Sequence, residues 1–163
     1  ILEPLRTNPI TKTVFGFAST VGDFSVIWHV TGLLYAIGSM DRLKQAIALS
    51  VALGAESIIV NQGVKRIFRR ERPTVSGDDR FDVRTPSTSS FPSGHASSAT
   101  FAAIILIWMT GFPLAILWII MAGVVALSRV VVRIHHLSDI VGGLITGAIL
   151  GAIAVPIISS IIG

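Results

Sequence analysis

The chain has 163 residues, 52% of them hydrophobic and 13% charged, with a formal net charge of +4 and a mean hydropathy of +0.76. A soluble domain carries about 25% charged residues, so this composition excludes an ordinary soluble globule and points to one integral membrane domain, residues 1–163, built all-α as a polytopic bundle. The lack of cysteine excludes disulfides, thiolate metal sites and a cysteine nucleophile, and a small positive charge here speaks of loops and orientation, with no nucleic acid implied.

In chain order, Ile1–Thr11, with Pro4, Arg6 and Pro9, reads as an interfacial lead-in without a cleavable signal pattern. Thr13–Val21 is mildly apolar and either lies along the surface or starts the first span. Asp23–Met40 is the expected first crossing, and Asp41, Arg42 and Lys44 form a polar turn. Leu43–Phe68 is the second crossing, followed by a long polar segment, Arg69–Phe91. Ser93–Thr110 is the third. Gly111-Phe112-Pro113 breaks the apolar run, so Leu114–Val132 is a fourth and Leu137–Ile162 a fifth. Each is near the ~20 residues that cross a bilayer, giving about five to six membrane helices.

With five crossings, the loops after the second and fourth spans share one membrane face, and these loops hold the unusual chemistry. The first supplies Lys65, Arg72 and then Pro92-Ser93-Gly94-His95. The second is Ser128 to Asp139, with Arg129, Arg133, His135, His136 and Asp139 between two apolar runs. Ionisable residues at a membrane boundary are costly and suggest function. His135 and Asp139 are four residues apart, a spacing that brings them to one helix face. A carboxylate behind an imidazole fixes its tautomer and makes the far nitrogen a better nucleophile.

A phosphoryl group would use this set. Lys65, Arg72 and Arg129 can neutralise its equatorial oxygens. Ser93 and Gly94 lie at a helix start, where free N–H groups favour an anion, and Pro92 suits that position. One histidine would attack phosphorus and the other protonate the leaving oxygen. No run of carboxylates suggests magnesium or zinc, so the cations would stand in for a metal.

Three motifs then stand in order: Lys65, six residues, Arg72-Pro73; Pro92-Ser93-Gly94-His95; and Ser128-Arg129, five residues, His135, three residues, Asp139. This set resembles the signature of the type-2 phosphatidic acid phosphatases, the lipid phosphate phosphatases, whose superfamily includes the vanadium haloperoxidases. The resemblance implies His135 as nucleophile passing through phosphohistidine and Asp139 as its orienting carboxylate. It implies His95 as general acid, and Lys65, Arg72, Ser93, Gly94 and Arg129 as the phosphate cradle, with no metal and no cofactor. Many members have six crossings.

The sequence thus predicts a small bacterial-type membrane hydrolase of a lipid phosphate or diphosphate: a prenyl (di)phosphate, a polyprenyl-linked sugar phosphate, phosphatidylglycerophosphate or phosphatidic acid. Its partners are that substrate and the bilayer of the cell (cytoplasmic) membrane, which it crosses several times. Nothing in the sequence assigns an oligomeric state. A non-enzymatic lipid-phosphate binder or transporter would need only the cations, and intact His95, His135 and Asp139 argue against it. A haloperoxidase-like vanadate enzyme is disfavoured by the apolar spans.

Blander expectations cover the remaining residues. His29 and His136 are expected to be locally bonded. Arg66, Arg69 and Arg70 read as a headgroup anchor. Asp23 and Glu56 are expected to face the bundle interior and bond to backbone or Ser/Thr groups, a substrate or proton role being the lesser reading. Gly143, Gly147 and Gly151 form a small-residue ladder for helix packing, within the bundle before any dimer, and Trp28, Trp108 and Trp118 are candidate interfacial anchors. The excess of cations beside the motifs, against only Arg42 and Lys44 on the other side, favours a cytoplasmic motif face. Against it, part of that excess serves phosphate, and many bacterial relatives act on the outer face.

Overall fold

Three helices begin where a side chain takes over the free N–H groups of the first turn. In the computed structural model, which describes residues 3–74 and 80–162, Asn8 Oδ1 accepts from the Ile10 and Thr11 N–H groups at 2.9 and 3.2 Å. It opens α2, Pro9–Gly22, after the short α1, Glu3–Thr7. Ser39 caps α4, Met40–Ile58, and Ser93 caps α6, Gly94–Thr110. Between α2 and α4 lie a tight turn, Asp23–Ser25, and α3, Val26–Ala36. A π-helical stretch, Ile59–Val64, carries α4 into α5, Lys65–Ile67. The bundle closes with α7, Ala115–Val131, and α8, Leu137–Ile162. Among the described residues every regular element is helical.

Helix α6 is the axis. Its sequence is small or apolar all round, which suits a helix enclosed by others, and Ala96, Ala99, Phe101, Ala102, Ile105 and Leu106 are all buried. It packs on α4, α7 and α8, with Trp28, Leu49, Leu53 and Val125 completing the core. Gly143 and Gly147 on α8 permit the close approach. A Cβ at Gly143 would stand 2.5 Å from the Ser93 carbonyl and 2.8 Å from Ala96 Cβ, and one at Gly147 would collide with the Ser97 carbonyl. The glycine ladder therefore packs within the bundle. The outer faces carry exposed apolar residues such as Val51, Ile58, Ile119, Ile145 and Ile153, a surface suited to lipid.

Met40–Ile67, 28 residues, and Leu137–Ile162, 26 residues, are long and apolar enough to cross a membrane, whereas α6 and α7 are apolar but shorter. Four expected crossings coincide with helices to within a few residues. The first, Asp23–Met40, does not: the helix there spans only Val26–Ala36. Phe24 and Ser25, at φ 53° and 61°, break it from α2, and Gly38, at φ 80°, follows its end. The lead-in expected at Ile1–Thr11 is helical instead, because Asn8 and Pro9 form a cap and first-turn pair that starts α2 early. Residues 75–79 of the expected polar segment and the first two residues of the lead-in lie outside the described residues.

Candidate active site

The chain between α7 and α8 turns on Arg133, at φ 60°. The N–H groups of Ile134 and His135 both return to the Arg129 carbonyl at 3.1 Å. That return tucks the His135 ring, 3% exposed, beside the end of α7. Asp139 sits at the third position of α8 and accepts the His136 N–H at 2.8 Å, half of a capping box. The spacing of four that places His135 and Asp139 together is thus enforced by the start of the helix.

Asp139 is fully enclosed and its oxygens are saturated. Oδ2 lies 3.4 Å from His135 Nδ1 and accepts from the Ser90 hydroxyl at 2.5 Å. Ser90 Oγ is itself 3.3 Å from His135 Nδ1. Oδ1 accepts from Arg70 Nη1 at 2.8 Å. Burial pushes the His135 imidazole down to about 3. Asp139 opposes this shift, and the nearby cations Arg72, Arg129 and Lys65 add to it. His135 is therefore neutral at pH 7. With its Nδ1–H directed to Ser90 and Asp139, the lone pair is on Nε2, which faces Arg72 Nη1 at 3.3 Å.

The cations are held by the chain but not satisfied by it. Arg72 also donates to the carbonyls of Ile134 and Thr88 at 3.1 and 2.9 Å, and its burial lowers its pKa. Arg129 is completely buried and donates through Nη1 to Ser19 Oγ. Arg72 Nε and Arg129 Nε and Nη2 are buried without a hydrogen-bond partner among the described residues. Lys65 is buried, with Nζ 3.4 Å from Thr88 Oγ1. At 3.6 residues per turn, nine residues would leave Lys65 and Glu56 on opposite sides of a regular helix. The π-helical stretch between them, marked by the Lys65 N–H bond to the Val60 carbonyl, reduces that rotation, and both side chains bury toward one cavity.

That cavity, of about 350 Å³, is lined by Lys65, Gly94, His95, His135, Asp23 and Glu56 among others. His95 Nε2 lies 3.1 Å from both the Ser19 carbonyl and Asp23 Oδ1. Glu56 takes the Ser97 hydroxyl. Among the described residues no group of three or more His, Cys, Asp or Glu side chains is arranged to hold a metal ion. The site can present a neutral imidazole nitrogen, unpartnered cationic donors and a second imidazole to one small anion.

Four of the residues expected from sequence, Lys65, Gly94, His95 and His135, line the cavity. Asp139 stands behind His135, and Arg72 reaches its Nε2. Arg129 does not line the open space but lies near enough to act on both histidines. Ser93 is partly committed already: its N–H bonds the Asp139 carbonyl at 2.9 Å and its Oγ accepts from Ala96 N–H. Ser90, Ser19 and the role of Arg70 were not legible in the motif spacing. Arg70, expected as part of a headgroup anchor, bonds Ser138 and Asp139 at 2.7 and 2.8 Å. His29 is locally bonded as expected, to Ser50 Oγ at 2.9 Å.

Comparison with known proteins identifies the family and the fold. The description "PAP2 superfamily" matches residues 45–161. The decaprenylphosphoryl-5-phosphoribose phosphatase of Mycobacterium tuberculosis is 37% identical over 136 residues, 83% of this chain and 73% of that protein. The protein of the same name in Mycolicibacterium smegmatis is 40% identical over 128 residues, 77% of this chain and 67% of that one. The crystal structure of a transmembrane PAP2 type phosphatidylglycerolphosphate phosphatase from Bacillus subtilis superposes with a TM-score of 0.67 at 22% identity, covering 94% of this chain and 79% of that one.

Proposed function

The chain belongs to the PAP2 superfamily and is a membrane hydrolase of lipid phosphates, and from that premise we propose that it removes the terminal phosphate of a polyprenyl-linked sugar phosphate through a phosphohistidine on His135. The observation that carries this reading is a buried guanidinium, Arg129, whose Nε and Nη2 lack partners among the described residues, together with Arg72 Nε in the same condition. Buried donors without acceptors are costly, and a phosphate supplies acceptors of the right charge and geometry.

The phosphoryl group would sit in the cavity against Lys65 and Gly94, where Arg72 beside His135 Nε2 and the buried Arg129 behind the cavity wall would turn their donors to its oxygens, with Ser93 contributing its hydroxyl. His135 Nε2 attacks phosphorus while Ser90 and Asp139 hold Nδ1–H, so the developing imidazolium charge is met by the Asp139 carboxylate. The electron pair of the breaking P–O bond goes to the lipid oxygen, which takes a proton from His95. Water then attacks phosphorus, giving a proton to neutral His95, as the P–N bond breaks and its electron pair returns to His135 Nε2. Arg72 exchanges its 3.3 Å contact with Nε2 for a phosphate oxygen.

The sugar-linked substrate is favoured because relatives 37% and 40% identical bear that name. A lipid tail has a seat beside the cavity. An apolar groove of about 600 Å³ runs between α4 and α8 from Lys44 and Ile162 to Glu56, and Glu56 also lines the cavity. The 12 residues from Lys44 to Glu56 span about 18 Å of helix. In this reading the protein is a multi-pass protein of the cytoplasmic membrane, acting without a metal.

The deciding experiment is phosphate release by purified protein in detergent from a panel holding a polyprenyl-linked sugar phosphate, a prenyl diphosphate, phosphatidylglycerophosphate and phosphatidic acid. The sugar-linked substrate should give the highest kcat/KM, excess chelator should leave the rate intact, and orthovanadate should inhibit. Preference for phosphatidic acid would overturn the substrate assignment, and no release from any member would overturn the reading.

A further inference from the structure

His95 must be charged to give a proton to the leaving oxygen, yet its surroundings are rich in positive charge. Arg129 lies beside it on α7, and Lys65 on α5 lines the same cavity, as does Arg84 from the loop before α6. Glu56 on α4 also faces this space, but it is engaged with Ser97. Among the described residues one carboxylate touches the ring: Asp23 Oδ1, 3.1 Å from His95 Nε2, with both side chains largely shielded at 16% and 12% exposure. The Ser19 carbonyl stands at the same distance from that nitrogen.

The chain around Asp23 is shaped to make this contact. Gly22 is buried, and a Cβ there would meet His95 Cδ2 at 2.7 Å and Val125 Cγ1 at 3.0 Å, so only glycine lets α2 end against the imidazole. Phe24 and Ser25 then adopt left-handed backbone, at φ 53° and 61°, without being glycine. Such conformations are unfavourable for residues with a Cβ and persist where the surroundings impose them. The Arg84 guanidinium covers the Phe24 ring at 4.7 Å. The break between α2 and α3 thus directs the one acid of this turn to the ring of His95.

We propose that Asp23 is the positioning residue of the general acid, holding His95 through Nε2 so that its proton for the leaving group is carried on Nδ1. This rests on the phosphatase reading above and adds to it a second histidine–aspartate pair, drawn from outside the three motifs. Nε2–H is shared between the Ser19 carbonyl and Asp23, and among the described residues Nδ1 has no hydrogen-bond partner. When the P–O bond breaks, the leaving oxygen takes the Nδ1 proton. His95 becomes neutral with Nε2–H still held, and a proton from the attacking water returns to Nδ1 in the second step. Asp23 stays ionised throughout and offsets the cations that oppose a charged imidazole.

The test compares two substrates on the full-length protein. An alkyl phosphate has a poor leaving group and needs the acid, whereas para-nitrophenyl phosphate scarcely does. Asp23→Asn should lower kcat on the alkyl phosphate by about 10–100-fold, part of the effect of a general acid. It should lower kcat far less on the aryl phosphate and move the alkaline limb of the alkyl profile to lower pH. Asp23→Glu should restore much of the loss. Equal losses on both substrates with an unmoved limb would overturn the role of Asp23 and leave the phosphatase reading standing. A wild type that hydrolyses neither substrate would overturn that reading and the proposal with it. Should Asp23→Asn not fold, nitrogen NMR of labelled histidine in the wild type decides: neutral His95 should carry its proton on Nε2, and the opposite tautomer would overturn the proposal.

Discussion

The Ser90 hydroxyl donates to Asp139 Oδ2 at 2.5 Å while its oxygen lies 3.3 Å from His135 Nδ1. Ser90 is completely buried, and it gives His135 a second route to the carboxylate beside the direct approach of 3.4 Å. Ser90→Ala would leave Asp139 its bonds from Arg70 and the His136 N–H, so the fold should survive. The expected effect is a loss of about tenfold in kcat, the scale of one hydrogen bond worth ~1.4 kcal/mol. Asp139→Asn should cost more, about 100-fold or above, because it removes the charge that meets the imidazolium. Steady-state kinetics on one substrate check both, and Ser90→Ala at the wild-type rate would show the hydroxyl to be idle.

The same pocket explains what sequence could and could not reveal. His135 and Asp139 were legible because a helix start converts a spacing of four into a contact. The gathering of Lys65, Arg72 and Arg129 near His135 was legible because charge placed between apolar runs has few uses. Arg70 was not, since a basic cluster beside a membrane reads as well for headgroups as for a site, and only the path of the chain brings it to Asp139. Ser90 and Ser19 reach the site through contacts 45 to 110 residues apart in sequence, beyond any local periodicity. The first crossing was misplaced for a local reason: apolarity continues through Phe24 and Ser25, but the backbone there does not.

The spacing between α6 and α8 should respond in graded fashion to a single methyl group. At Gly147 a new Cβ meets the Ser97 backbone carbonyl, which cannot move without its helix, whereas at Gly151 the nearest atom is Ile104 Cδ1 at 3.0 Å, the end of a flexible side chain. Gly147→Ala is expected to destabilise by about 2–3 kcal/mol and Gly151→Ala by under ~1 kcal/mol. Because Ser93 and Asp139 are joined across this seam, Gly143→Ala should lower activity as well. Thermal unfolding in one detergent ranks the three, and identical melting of the Gly147 and Gly151 variants would refute the packing account.

Acid should act on stability through His135. Its folded value of about 3 lies below the ordinary 6.5, so between these limits the unfolded chain binds a proton that the folded chain refuses. The stability this group contributes is present above pH 6.5 and is lost progressively as pH falls toward 3. His135→Gln removes that term, and its melting temperature should fall less steeply with acid than that of the wild type. In the free enzyme the acid limb of kcat/KM should then not belong to His135. Parallel pH dependence of melting in the two proteins would contradict a buried neutral imidazole.

Orientation can be argued from the cations that phosphate does not explain. Lys65 lines the pocket, Arg72 contacts His135 and Arg129 is buried behind the pocket, while Arg70 bonds Asp139 and Arg6 is spent on the carbonyls of Val130 and Val131 at the end of α7. Exposed Arg66, Arg69, Arg84 and Arg133 remain among the segments that carry the motifs, against exposed Arg42 and Lys44 near the start of α4. Because Lys and Arg in short loops set orientation, the remaining excess predicts a motif face on the cytoplasmic side. A sugar phosphate joined to its lipid on that side would reach the cavity without crossing the bilayer. Ser87 is exposed in the loop before α6, and the chain has no cysteine, so Ser87→Cys creates a single reporter. It should resist an impermeant maleimide in intact cells and react once the cells are opened, and labelling of intact cells would reverse the orientation.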